Sequence, residues 1–595
     1  MKWVIGCQWL QKTSLPLLVL LVSSVYLCTA TGVAITDDGD ALYAHVAQQM
    51  IARGDWVTPY ANGVRFLDKP PLLYWLIALA YAFLGMTELA ARLPSVLSVL
   101  GIGVLLYLAA RRVAGPWSGL AAGVASAFCI GTFLFTRMVF PDVLFLFCLT
   151  LGIWAFMEWH LGDRDRALPA MLFYASVAGA ALSKGLIGVF FPVAIVLLFV
   201  AWTREWKKLM GFHIGKGSLL FLVLALPWHV LVAYRNPGFL WHFFLNEQLL
   251  RFLGRRQPVD YESISLPVFW VLMLLWLFPW CAFLPAVRHV FQPLERGSFQ
   301  LHVVTRLSLC WAVVVLGFFS VSSRIEHYAL PAFPPLALLI GIALNPGNLD
   351  GAEADSRRQR SVGRSFAFLG ILGGTLGAVF LAASLVWLIG RPSVEFFREA
   401  STRHLHAYSH YFAPLFDFPP QILTRLFQPV VGVLMVLSLG MLGAWWLGRR
   451  GMRMRAILLL CAEMAVFFLF AYQSQGVCEE VLSSKQFALK LREIYRPGDH
   501  LITVGDFETA NSINFYARVS LYVYKGRAAV LEWGLRYPDA PVRVLSRADL
   551  EKRWNGSDRV FLLSPDPEVE TIKLEHTYPV MRSAGRTLLC NQPPN

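Results

Sequence analysis

Long apolar stretches separated by short polar ones dominate the chain. About 20 apolar residues cross a bilayer's hydrocarbon core, and the pattern predicts thirteen spanning helices. They fall near 15–36, 92–110, 116–135, 142–160, 169–183, 186–202, 218–234, 266–287, 305–321, 328–344, 366–390, 428–447 and 456–472. Basic residues collect in alternate connections: Lys2/Lys12, Arg111/Arg112, Arg164/Arg166, Arg204/Lys207/Lys208/Lys216, Arg288/Arg296, Arg357/Arg358/Arg360/Arg364 and Arg449/Arg450/Arg453/Arg455. Positive loops face the cytoplasm, so the N-terminus is expected inside. An odd number of spans then puts the region after 472 outside, with the segments 37–91, 235–265 and 391–427.

The apolar stretch Leu72–Gly85 is too short to span, is rich in aromatics, and follows Pro70-Pro71; such a segment suits the membrane surface. The segment 37–91 is therefore expected to hold two juxtamembrane helices, Ala41–Arg53 closed by Gly54, and Pro70–Gly85. Beyond 472 the pattern changes. Glu479–Tyr495 and Arg547–Trp554 read as helices and His500–Val504 and Arg559–Leu563 as strands, an alternation that favours a small α/β domain. The expected fold is a polytopic α-helical membrane region, 1–472, with amphipathic juxtamembrane helices, followed by a soluble α/β domain, 473–595.

Of 595 residues, 56% are hydrophobic and only 15% charged, against about 25% charged in soluble proteins. A wholly soluble enzyme is excluded. The net charge of +14 is spread through short loops, which fits membrane topology and not a nucleic-acid surface. Nine cysteines show no metal-ligand spacing, and most lie in apolar runs. Cys478 and Cys590 bracket the polar C-terminal region, and a bridge between them is open if that region is oxidised.

The densest polar group lies in the first outer segment: Asp37, Asp38 and Asp40 after the first span, then Asp68-Lys69-Pro70-Pro71. Clustered carboxylates at a membrane boundary repel one another and lose hydration. An ionised Asp there can accept a proton or steady an oxocarbenium-like centre, although Asp40 and Asp68 would also serve as helix caps. Lys69 at a helix start calls for an anion, and a phosphate fits. On the same predicted face lie Lys184, Arg137 with Asp142, Glu247 with Arg251 at i,i+4 spacing, Arg255/Arg256, and Arg324 with His327-Tyr328. For these the competing duties are snorkelling (Lys184), an Arg137–Asp142 pair, a surface salt bridge (Glu247–Arg251) and an interfacial aromatic (Tyr328). Together they describe a site at the outer membrane edge for a negatively charged lipid head group, in which Lys and Arg neutralise a phosphate leaving group.

The ordered motifs Gly54-Asp55-Trp56, Asn62-Gly63-Val64-Arg65-Phe66-Leu67-Asp68-Lys69-Pro70-Pro71, Ala91-Arg92-Leu93-Pro94-Ser95, Lys184-Gly185-Leu186-Ile187-Gly188 and His327-Tyr328-Ala329-Leu330-Pro331 resemble the aminoarabinose lipid A transferases. They also resemble the wider protein O-mannosyltransferase superfamily of GT-C membrane glycosyltransferases. The tail, with Ser512-Ile513-Asn514-Phe515-Tyr516, is similar to that family's external domain. The resemblance implies a polyprenyl-phosphate sugar donor, inversion at the anomeric carbon and work at the periplasmic face. It makes an Asp at the end of the first span catalytic. The family's Asp-Glu pair matches Gly39-Asp40 by its spacing to Tyr43, with Asp37-Asp38 just upstream, so the choice among Asp37, Asp38 and Asp40 stays open. Asp68 stands where Glu is usual, and Lys69 matches the phosphate-contacting lysine. Asp142 matches the acidic residue of the next outer turn, and Arg251 and Tyr328 match donor-phosphate contacts.

The expectation is an inverting glycosyltransferase of the bacterial inner membrane, taking sugar from an undecaprenyl-phosphate-type carrier to lipid A, protein or another envelope glycan. Candidate catalytic residues are Asp37, Asp38, Asp40 and Asp68. Candidate binding residues are Lys69, Asp142, Lys184, Glu247, Arg251, Arg324 and Tyr328. No cofactor or protein-held metal is assigned, and a divalent-metal requirement stays open. The rivals are a lipid-linked phosphotransferase or polymerase, and a transporter or flippase. A transporter places charges near mid-bilayer on broken helices, whereas here they gather at one boundary.

Overall fold

The computed structural model describes residues 2–162, 166–258, 263–291, 299–347, 352–390 and 420–593. Arg164, Arg296 and most of the expected outer segment 391–427 lie outside these residues. Among the described residues, nine helices are long and apolar enough to cross a membrane, or ten if the bent pair Leu266–Trp276 and Trp280–Phe291 forms one span. The 40-residue helix Glu88–Ala127 breaks at Gly115 (φ 83°, ψ 173°), directly before Pro116, and so supplies two of the expected spans. The helix Ile187–Thr203 and the consecutive 3₁₀ helix Glu326–Ala332 and α-helix Phe333–Ala343 occupy two further positions. Each of the thirteen apolar stretches thus falls on a helix or a broken helix.

The breaks were not expected. The stretch read as 116–135 is interrupted at Phe128-Cys129, and that read as 266–287 bends by 96°. Inside a membrane, carbonyls freed by a break need partners. Here the breaks supply one another: the Trp280 indole donates to Phe128 O (2.8 Å), Ile130 N donates to Phe278 O (3.3 Å), and the Trp276 indole donates to Glu326 O (3.1 Å). Gly131 admits Trp276 so closely that an added Cβ would sit 2.7 Å from the Trp276 Cβ and 3.2 Å from its carbonyl oxygen.

Two helices follow the first span, Gly39–Arg53 and Leu72–Leu84. Gly54, at φ 66°, closes the first with a left-handed cap, the conformation for which glycine carries no steric penalty. Between them strands β1 (Tyr60–Ala61) and β2 (Val64–Arg65) form a hairpin over Asn62-Gly63, both at positive φ, as the tightest hairpin turn requires.

The last span runs on as one helix from Arg453 to Leu482, past the boundary expected at 472. The expected helix Glu479–Tyr495 is therefore two pieces, broken at Ser483-Ser484, with Lys485–Ile494 separate. The strands β3 (His500–Val504), β4 (Leu521–Tyr524), β5 (Val544–Leu545), β6 (Val560–Pro565), β7 (Tyr578–Ser583) and β8 (Arg586–Cys590) form a six-stranded mixed sheet in the order β5-β4-β3-β6-β8-β7. The first four are parallel, and β8 and β7 run antiparallel at one edge.

Strands β3 and β6 are apolar almost throughout, as a sheet covered on both faces demands. Ile502, Val504, Val560 and Leu562 pack under the helix Arg547–Trp554. The alternate residues Leu501, Phe561 and Leu563 share one core with Leu42, Val46 and Ile77 of the juxtamembrane helices. Period-two alternation thus joins the sheet to the membrane region through a common interior. Cys478 and Cys590 are both buried and free, so no bridge links them.

Candidate active site

The three aspartates after the first span part company. Asp37 accepts from Ser512 N and the Ser484 hydroxyl, each at 2.8 Å, with Arg586 at 3.7 Å. Burial pushes its carboxyl up from the ordinary value. Asp40 is 3% exposed; it accepts from Val139 N and from Thr36 and lies 3.6 Å from Arg92. Arg92 in turn donates to the carbonyls of Val33 and Ala34 at 2.8 Å, tying down the end of the first span. Both carboxylates are built into the frame, and neither lines the cavity described below. Asp38 does line it, and its side chain is exposed there. Asp40 is not the helix cap its position suggested: the helix begins at Gly39 and Asp38 occupies the cap position, without a side-chain cap bond.

The cavity holds about 1430 Å³ between the membrane helices and the C-terminal sheet region. One wall is apolar, with Phe190, Val268, Leu272, Leu275 and Phe318. Another is ionic. Asp68 accepts from His242 Nε2 at 2.9 Å and pairs with Arg256 at 3.1 Å. Glu247, with a wholly buried side chain, pairs with Arg256, with Arg251 at 2.8 Å and with Lys69 at 3.7 Å. Burial alone would raise the Asp68 carboxyl, but the His242 hydrogen bond and the charge of Arg256 hold it well below the usual range. Burial and Asp68 likewise push Glu247 up, and Arg251, Lys69 and Arg256 outweigh them. Lys69 is pulled below an ordinary lysine by burial and by Arg251. Lys69, Arg251 and Arg256 thus gather with Asp68 and Glu247 beside the cavity, and guanidinium and ammonium groups grouped in this way suit a phosphate.

Local winding makes this cluster. Trp241–Leu250 is a π-helix, whose i→i+5 hydrogen bonding brings His242 and Glu247 to one face. The His242 ring stacks on Trp533 of the C-terminal region, centroids 4.5 Å apart. Asp68, His242 and Glu247 each bring a donor atom to within 4.8 Å of the others, the donor set of a divalent cation. In this structure the Arg256 guanidinium bridges the two carboxylates.

On the adjoining wall Lys184 donates to Asp142 and lies 4.9 Å above the Tyr328 ring, with His327 3.4 Å from Asp142. Lys184 therefore does not snorkel. Arg137 does not pair with Asp142; it turns to Thr29 O and Gln475. Arg324 is not part of the cavity wall: it donates to the carbonyls of Phe319 and Ser322 at the end of the helix Phe299–Val321, which is C-terminal capping.

The C-terminal region completes the wall with Asp506, Glu508, Thr509, Ala529 and Val530. Burial pushes the Glu508 carboxyl up to about 7, with Asp38 and Asp506 adding to the rise, although Val530 N donates to it at 3.1 Å. Sequence reasoning missed His242 and Glu508 and left Arg256 as a bystander. His242 and Glu247 are five residues apart, a spacing that an α-helix would put on different faces. Glu508 lies more than 400 residues from Asp38, Asp68 and Lys69 and more than 250 from Arg256, and no local pattern marks it.

A family model described as dolichyl-phosphate-mannose-protein mannosyltransferase matches residues 68–230, the stretch that carries Asp68, Lys69, Asp142 and Lys184. The undecaprenyl phosphate-alpha-4-amino-4-deoxy-L-arabinose arabinosyl transferase of Pseudomonas aeruginosa is 30% identical over 346 residues, 56% of this chain and 60% of that one. A transferase of the same description from Pseudomonas fluorescens is 28% identical over 548 residues, 89% of this chain and 88% of that one. The crystal structure of ArnT from Cupriavidus metallidurans bound to undecaprenyl phosphate superposes with a TM-score of 0.80 at 23% identity, over 97% of each chain, a likeness of fold from end to end. In sequence and fold the chain is similar to the aminoarabinose lipid A transferases and the wider protein O-mannosyltransferase (GT-C) superfamily, and it is a multi-pass membrane glycosyltransferase.

Proposed function

We propose that the enzyme moves a sugar from an undecaprenyl-phosphate-type carrier to an envelope acceptor of the lipid A kind, at the periplasmic face of a bacterial inner membrane. The N-terminus is then cytoplasmic and the region 473–595 periplasmic, as the alternation of basic loops supports. The observation that carries the reading is the cluster of Lys69, Arg251 and Arg256 around Asp68 and Glu247, beside an apolar wall suited to a prenyl chain. The names of the curated relatives support the same donor class.

In the transfer step the acceptor oxygen attacks the anomeric carbon on the side opposite the phosphate. The bond from that carbon to the phosphate oxygen breaks, and its electron pair leaves with the phosphate. The cationic wall neutralises the charge that develops there. Asp38 orients the acceptor or, where the acceptor is a hydroxyl, takes its proton. Asp68 and Glu247 fix the cations, and Asp142 holds Lys184 against Tyr328. Asp37 and Asp40 keep Asp38 in place and do no chemistry.

The test is transfer of labelled aminoarabinose from undecaprenyl phosphate to lipid A by the purified enzyme in nanodiscs. Asp38→Ala is expected to lower kcat by about 10²–10⁴-fold. Lys69→Ala is expected to weaken donor use by about tenfold or more. Wild-type rates in both variants reject the site.

A further inference from the structure

The C-terminal region reaches the membrane-side carboxylate at one buried side chain. Asn511 is 1% exposed. Its Oδ1 accepts the backbone N–H of Asp38 at 2.9 Å, and its Nδ2 donates to the Asp38 carbonyl at 2.8 Å. The Glu508 carbonyl shares the same N–H at 2.8 Å. Under this reciprocal grip Asp38 stands at φ 75°, ψ −138°, a conformation that residues with a side chain rarely adopt and that persists only where surroundings impose it. The neighbours of Asp38 are fixed independently, Asp37 by Ser484 and Ser512 and Asp40 by Val139 and Thr36. Asp38 is the aspartate of this group that lines the cavity, and a return to negative φ would reorient its peptide planes and swing the carboxylate away from that wall.

An amide is the group this contact needs. It offers one donor and one acceptor at the end of a short side chain; a carboxylate offers no donor, and a methyl offers neither. We propose that Asn511 is a positioning residue of the transferase, holding the Asp38 backbone in the left-handed conformation that turns its carboxylate to the substrate. The inference rests on the reading of Asp38 as the carboxylate of the transfer step. It makes the soluble part of the chain a working component of a site otherwise built from membrane helices and their loops.

A double-mutant cycle tests it on the full-length enzyme in nanodiscs, with undecaprenyl-phosphate aminoarabinose as donor and lipid A as acceptor. Asn511→Ala and Asn511→Asp are expected to lower kcat by 10- to 100-fold while the donor KM stays within about twofold, because the phosphate-holding cations are untouched. In an Asp38→Ala background, Asn511→Ala is expected to lower the residual rate no further; a merely structural role would lower it again. Asn511→Asp keeps the shape and one acceptor oxygen, and it carries the test if Asn511→Ala does not fold. Wild-type kcat in the Asn511 variants beside an impaired Asp38→Ala overturns the positioning role. So does a loss that persists undiminished without Asp38. Wild-type rates in Asp38→Ala instead overturn the reading of Asp38 itself, and the positioning role with it.

Discussion

Asp37, Asp38 and Asp40 share one chemistry and differ in what the chain gives each to bind. A buried serine hydroxyl and N–H take the first, an N–H and an arginine the third, and the cavity the second. The sequence shows the cluster and cannot rank its members, because the ranking is made by Ser512, Asn511 and Val139 from far along the chain. Glu508 facing Asp38 yields a pH test. Its carboxyl titrates near 7 when folded, against 4.5 as the ordinary value. Between those two values the folded chain binds more protons than the unfolded one, so this group makes stability fall as pH rises from about 4.5 to 7, with no further change above. Glu508→Gln removes that slope. The variant is expected to match the wild type near pH 4 and to exceed it at pH 8 by about 1–3 kcal/mol, read from melting curves across the range.

Among the elements, the π-helix Trp241–Leu250 does most to shape the site. The pair Glu247–Arg251 was legible as i,i+4 neighbours and does form, at 2.8 Å. The partnership of Glu247 with His242 was not, because the local pitch departs from the α-helical one on which face arguments rest. The juxtamembrane helices were legible almost to the residue, since Gly54, Gly85 and the Pro70-Pro71 pair mark their ends in chemistry that acts locally. Arg256, which joins this element to Asp68, tests the cluster as a unit. Arg256→Met removes the guanidinium that bridges the buried Asp68 and Glu247 carboxylates and is expected to cost about 3–5 kcal/mol, measured by unfolding in mixed micelles.

Over the whole molecule, the thirteen apolar stretches and the turn to an α/β pattern near the C-terminus were readable because hydrophobic length and period are carried by contiguous residues. How the two parts meet was not readable, because it depends on pairings hundreds of positions apart. Asn62, at the tip of the β1–β2 hairpin, shows the kind of contact involved. Its side chain accepts from Leu521 N at 2.8 Å and donates to Leu521 O at 2.9 Å, and it also accepts from Asn514 at 3.2 Å. Nearby, Lys485 meets Glu88 at 2.8 Å and Tyr516 donates a hydroxyl hydrogen bond to Glu88 at 3.0 Å. Asn62→Ala strips the hairpin tip of these bonds and is expected to cost about 2–4 kcal/mol, seen as a lower Tm and faster proteolysis at the junction.

The Lys69–Arg251–Arg256 wall also bears on turnover. A sugar-linked carrier presents a phosphodiester with a single negative charge, whereas the spent carrier is a monoester bearing close to two. On the proposed reaction the same guanidinium and ammonium groups therefore grip the product more firmly than the reactant. The used lipid must break that firmer grip to return to the bilayer.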